Sequence, residues 1–256
     1  MNVHLRKGGA NPERYESAVR RWFRFIRKEP NALITGSLLF WLISLPVVTI
    51  GPARLALVHY MDKRDRGEAI RFQDALRFAF RTCGGKAWLM GASDALALLM
   101  AGGCALAVQA EEVAMALRAF YAILFILDMT YAASGLYRYS ALSEEPRSPL
   151  TMLAARGFLM TLSNPGWTAL FWCVQLMALI ICAATGVGLI LLFPAAAAMM
   201  EACAYDAMAS AYATDEAEED EPNNNIQPSS RIPSTHDESH MSNVTSNRLE
   251  TQEEPH

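Results

Sequence analysis

The thirty residues from Asn31 to Tyr60 form an apolar run long enough to cross a bilayer. It is broken midway by Ser44-Leu-Pro-Val-Val-Thr-Ile-Gly-Pro-Ala53. Pro46 and Pro52 remove backbone donors, and the Gly51-Pro52 pair favours a change of chain direction. Hydrocarbon cannot satisfy the carbonyls and amides that such a break frees, so protein or cavity water must meet them. The run therefore predicts an integral membrane protein with a discontinuous first segment.

Charge divides the chain in two. Residues 1–213 hold 20 Lys/Arg against 15 Asp/Glu, whereas residues 214–256 hold 2 against 11, so the overall charge of −4 describes neither part. The first part reads as a membrane body with basic flanks. The second opens with six acids between Asp215 and Glu221, continues in Asn, Ser, Pro and Thr, and is expected to be disordered. Asn243-Val244-Thr245 matches a glycosylation sequon, a weak signal on its own.

Three domains follow. Residues 1–30 are expected to form a basic amphipathic interfacial helix. Its aromatic face (Tyr15, Val19, Trp22, Phe23, Ile26) opposes Arg20, Arg21, Arg24, Arg27 and Lys28, with Asn11 as cap and Pro30 as stop. Residues 31–213 are the transmembrane domain, and 214–256 the acidic tail. Within the body, Ala87–Gln109 and Val113–Tyr137 read as spans joined by a turn at Glu111-Glu112. Gly166–Ala184 and Val187–Cys203 form a final pair, the last kinked at Pro194. Phe72, Leu76 and Phe80 mark a second interfacial stretch, and Arg147–Leu162 a third. The fold class is thus all-α, a bundle of about five hydrophobic segments with interfacial helices.

The positive-inside rule places the loops 61–86 and 138–165, with 7 and 3 basic residues, and hence the tail, in the cytoplasm. The N-terminal segment, with 8 Lys/Arg, belongs on the same side, which a single crossing by residues 31–60 forbids. A re-entrant run is one resolution and the one that charge accounting favours, with a single crossing as the alternative. Each arm of about 15 residues is then roughly 22 Å long, short of the 30 Å hydrocarbon core.

The stretch Asn31–Trp41 leading into Ser44–Ala53, the segment Phe-Gln-Asp-Ala-Leu-Arg-Phe-Ala-Phe-Arg from Phe72 to Arg81, and the order of the later spans resemble the YesL-like family of bacterial membrane proteins. The resemblance covers about residues 13–211. Cys83-Gly84-Gly85 stands where the family's pattern has an Asn-containing turn. It implies an inner-membrane location and a setting in carbohydrate uptake, and it carries over no catalytic residue.

Ionisable residues inside spans mark candidate sites. Asp94 and Asp128 are expected at similar depths on adjacent antiparallel helices, and Arg54, just past the Gly-Pro break, is a candidate countercharge. A proton- or cation-binding pair and two separate structural carboxylates are both open readings. Ser93, Ala97 and Ala101 read as a close-packing face, and Thr168 and Gln175 as cross-helix bonds. Five cysteines without paired spacing predict neither disulfides nor a metal site, and no catalytic set of residues, cofactor motif or nucleic-acid signature is present. Two functions lead, with a lipid-interacting structural protein that needs only the basic interfacial helices as a third possibility. One is a non-enzymatic accessory or regulatory component of a carbohydrate uptake system, with lipids and permease subunits as partners and a homo-oligomer left open. The other is a small secondary transporter or channel using Pro46, Gly51, Pro52 and the two aspartates.

Overall fold

A computed structural model describes residues 12–109 and 114–219. The Asn11 cap, the Glu111-Glu112 turn, the sequon and the tail beyond Glu219 lie outside them. Among the described residues every regular element is helical: α1 Pro12–Lys28, α2 Pro30–Ser44, α3 Ile50–Asp65, α4 Phe72–Arg77, α5 Gly84–Gln109, α6 Met115–Glu144, α7 Leu150–Ser163, α8 Pro165–Thr185, α9 Val187–Leu191 and α10 Phe193–Glu219. Pro30 and Pro165 open α2 and α8, where the missing donor is not needed. Three helices, α5, α6 and α8, are long and apolar enough to cross a membrane.

The broken run doubles back on itself. Glu29, just before α2, pairs with Arg64 near the end of α3 at 2.7 Å. Farther along, a Cβ added to Gly36 would lie 2.6 Å from Met61 Cε and 3.0 Å from Leu57 Cδ1, so α2 and α3 are antiparallel. Between them a single 3₁₀ turn, Val47–Thr49, follows Pro46. The Thr49 hydroxyl reaches the carbonyls of Ile43 and Pro46, and the Thr49 amide also donates to Pro46 O at 2.8 Å. The carbonyls of Ile43 and Pro46 and the Thr49 amide, all at the break, are thus met by protein groups.

One end of the bundle gathers the charges. Arg66, after α3, donates to Glu144 at the end of α6 (2.9 Å) and to Asp206 of α10 (3.1 Å). Arg21 of α1 pairs with Asp65 and, at 2.8 Å, with Asp206. Lys86, near the start of α5, donates to Pro146 O and Ser148 O, both at 2.8 Å. The start of α2 and the end of α3 therefore share this end with the start of α5 and the end of α6.

Burial is inverted relative to a water-soluble bundle. The centre is α3 and the Ala- and Met-rich α10, with Ala53, Leu55, Met61, Ala195, Met199 and Ala204 fully enclosed. Small residues allow this close approach. The outer helices turn leucine and isoleucine outward, Leu98 and Ile181 being 75% and 62% exposed. Such a surface suits lipid.

Two aromatic faces expected at the bilayer interface pack against protein. The aromatic face of α1 is covered by protein, because Trp22 donates to Ala196 O at 2.7 Å and Tyr15 stacks on Trp167 at 4.2 Å. Only Phe23 of the expected apolar face is left half exposed. The Phe72 stretch likewise packs inward. Phe72 meets Tyr60 edge-on at 5.4 Å, and Phe78 stacks on His59 at 4.3 Å, while Phe80 turns out. The last segment also differs from a single kinked span. The chain breaks at Leu192, Pro194 falls in the first turn of α10, and the helix runs on to Glu219 past the expected tail boundary at 214.

Gly51 owes its identity to the crossing of α3 and α5. A Cβ there would lie 2.1 Å from Ala87 O, and one on Gly91 would lie 2.7 Å from Gly51 Cα. Neither backbone can yield locally. Gly51→Ala is expected to destabilise the protein in detergent by about 1–3 kcal/mol through overpacking, read as a lowered midpoint of thermal unfolding. Gly102→Ala, where an added Cβ meets nothing within 4 Å, is the control and does not lower the midpoint.

Candidate functional site: a buried charge cluster

The hairpin delivers Arg54, one turn into α3, to the middle of the bundle. Its Nη2 donates to Glu201 Oε1 of α10 at 2.5 Å and its Nη1 to Asp94 Oδ2 of α5 at 3.3 Å. Arg138 of α6 donates through Nη2 to Asp94 Oδ1 at 2.6 Å, and the Tyr139 hydroxyl donates to Asp94 Oδ2 at 3.1 Å. Each guanidinium also lies over a ring, Arg54 over Tyr139 at 4.5 Å and Arg138 over Tyr131 at 4.0 Å. Two arginines and two carboxylates from four helices thus neutralise one another.

The arrangement follows from the low dielectric around it. An isolated charge there carries a desolvation penalty of several kcal/mol, which only close pairing offsets. Arginine suits the task because its planar fork serves two carboxylates at once and its faces accept aromatic rings. Arg138 is 2% exposed and Glu201 4%, so both depend on these partners.

Of the three ionisable residues marked in the sequence, the structure brings Arg54 and Asp94 together and leaves Asp128 apart. The reason is the length of α6. The helix runs to Glu144, two turns beyond the apolar run, so Asp128 lies about 24 Å from that end at 1.5 Å per residue. Asp94 lies about 15 Å from the start of α5, level with the segment Tyr131–Tyr139. Asp128 Oδ2 is buried and has no hydrogen-bond partner among the described residues. The motif residues have a different role. Pro46 ends α2, Gly51 permits the crossing of α5, and Pro52 sits in the first turn of α3.

Arg138 and Glu201 were missed in the sequence. Arg138 follows the apolar run and so read as a loop residue. Glu201 lies within the expected last span, where the rule that singled out Asp94 applies equally to it. Thr168 and Gln175 bridge helices, Thr168 to Tyr137 at 2.9 Å and Gln175 to Ala197 O at 3.4 Å. Ala97 and Ala101 are buried, and Ser93 accepts from Tyr131 at 2.7 Å. Among the described residues the cysteines are free, and no group of three His, Cys, Asp or Glu side chains is placed to hold a metal ion.

Comparison with family models, with curated proteins and with solved structures finds no match for this chain.

Truncating Arg54 leaves the buried Glu201 carboxyl without the partner that offsets its desolvation. Arg54→Met is expected to cost about 3–5 kcal/mol, and adding Glu201→Leu to recover a large part of it. Asp128→Asn is expected to change stability by less than about 0.5 kcal/mol. Thermal unfolding in detergent across these variants checks all three values.

Proposed function

We propose that the chain is a multi-pass protein of the bacterial inner membrane, of the YesL-like kind, that acts without chemistry of its own as an accessory or regulatory component of a carbohydrate uptake system. Five apolar segments enter or cross the bilayer, the first as a re-entrant hairpin. The basic end, with the tail, faces the cytoplasm. The carbohydrate setting rests on the family resemblance alone.

One observation carries the choice of an accessory role over transport. A transporter coupled through a pair of neighbouring carboxylates needs both to release and take up charge, whereas Asp94 and Glu201 are both tied to arginines and Asp128 lies apart from them. The cluster supports the reading of a rigid internal brace. The surface left for function is then the outer one, where α5, α6 and α8 present long apolar faces of the kind that meets lipid or the helices of a partner. With the N-terminal segment returned to the basic end, the positive-inside rule also ceases to conflict with itself.

The test is purification of the tagged protein from its own membranes in mild detergent, with mass spectrometry of what remains bound. The expected result is stoichiometric recovery of permease or ATPase subunits of a sugar transporter. Recovery of the chain alone, together with solute uptake by vesicles containing only this protein, would overturn the accessory reading.

A further inference from the structure

At the mouth of the hairpin lies a cleft of about 570 Å³, between α1 and the end of α3 with the turn that follows it. Its α1 wall is a single helix face, because Arg21, Arg24, Phe25 and Lys28 follow the i, i+3, i+4, i+7 spacing. Three carboxylates also line the cleft, and each already has its cation. Glu29 pairs with Arg64 at 2.7 Å, Glu68 with Lys63 at 2.8 Å, and Asp65 with Arg21. Arg24 and Lys28 are exposed and have no carboxylate partner among the described residues. The cleft thus presents two uncompensated positive charges one helical turn apart, an arrangement that is unfavourable for the helix until an anion joins them.

We propose that this cleft binds the phosphate monoester headgroup of an anionic lipid. Charge sets the class. A phosphate monoester carries about −1.5 to −2 at neutral pH and so matches two free cations, whereas a diester headgroup with a single charge leaves one cation over. Geometry allows the match. Side chains four apart on a helix stand about 5–6 Å apart at Cβ, so Arg24 and Lys28 can converge on one phosphate. The arginine fork then spans two of its oxygens, and the lysine ammonium takes the third. Position sets the source. The apolar helix α2 begins at Pro30, two residues past Lys28, so the cleft sits where the hairpin enters hydrocarbon, at the depth of the lipid headgroups. A phosphate ester without acyl chains lacks the second anchor that this depth provides. The placement rests on the reading of the basic end as a membrane face, whereas the binding itself is measured on the chain alone.

The test is native mass spectrometry of the full chain, purified in mild detergent and titrated with dioleoyl phosphatidic acid. One saturable adduct is expected, with phosphatidylglycerol and glycerol 3-phosphate each bound about fivefold more weakly or worse. Arg24→Gln and Lys28→Gln are each expected to weaken phosphatidic acid binding about fivefold, the effect of one charge near the membrane surface, and the double variant to weaken it further. Arg27→Gln removes a charge from the same last turn of α1 but off the cleft, and is expected to leave binding unchanged. All three side chains are exposed, and helical circular dichroism confirms that the variants fold. Absence of a saturable adduct would overturn the proposal while leaving the accessory reading untouched. Equal weakening by Arg27→Gln and Arg24→Gln would also overturn it, because the attraction would then belong to the basic surface at large. So would binding of phosphatidylglycerol or glycerol 3-phosphate as tight as that of phosphatidic acid.

Discussion

The Arg54 guanidinium, held between Glu201 and Asp94 above the ring of Tyr139, is the interaction on which the arrangement depends. It lies on the returning arm of a helical hairpin too short to cross a bilayer, and its partners lie on α5 and α10. Within a bilayer a helical hairpin would gain little hydrophobic incentive to stay packed against neighbouring helices, because lipid tails are as apolar as they are. Charge pairing in a low-dielectric interior supplies that incentive, since separating the helices would strand Glu201. The ion pairs at the polar end, Arg66 with Asp62, Glu144 and Asp206 and Arg21 with Asp65 and Asp206, anchor the other end of α3. They face water more closely, where screening leaves such pairs little individual weight.

Steric complementarity completes what the charges begin. Gly51 and Gly91 let α3 and α5 touch backbone to backbone, which places Arg54 within reach of Asp94. The same logic explains α10, whose Ala, Met and Cys surface admits neighbours closely enough to become the centre of the bundle. The wider, branched side chains are left to α5, α6 and α8, on the outside. Brace and outer surface thus come from different kinds of sequence.

Much of this was legible in advance, and the exceptions share a cause. Pro46, Gly51 and Pro52 mark the break, charge accounting favours the returning run, and Asp94 and Arg54 stand out as ionisable groups in apolar surroundings. What was not legible involves helices that do not read as lipid-facing. α10 is too poor in Leu and Ile to announce itself as the receiver of α1, so an amphipathic helix with no evident partner was assigned to the membrane surface. Glu201 sits in that same helix. The extension of α6 past Tyr137 carries Arg138 and Tyr139 in a polar stretch that hydropathy ends too soon, and this moved Asp128 out of register with Asp94.

The most direct test of the account is which side of the membrane each end of the broken run occupies. Single cysteines at Arg27 and at Ala69, in a chain whose five native cysteines are replaced by alanine, can be probed with a membrane-impermeant maleimide in intact cells and in inverted vesicles. The hairpin predicts that both positions react in inverted vesicles and neither in intact cells. Labelling of one position in cells and the other in inverted vesicles would mean that residues 31–60 cross the membrane once, and it would contradict the account at its base.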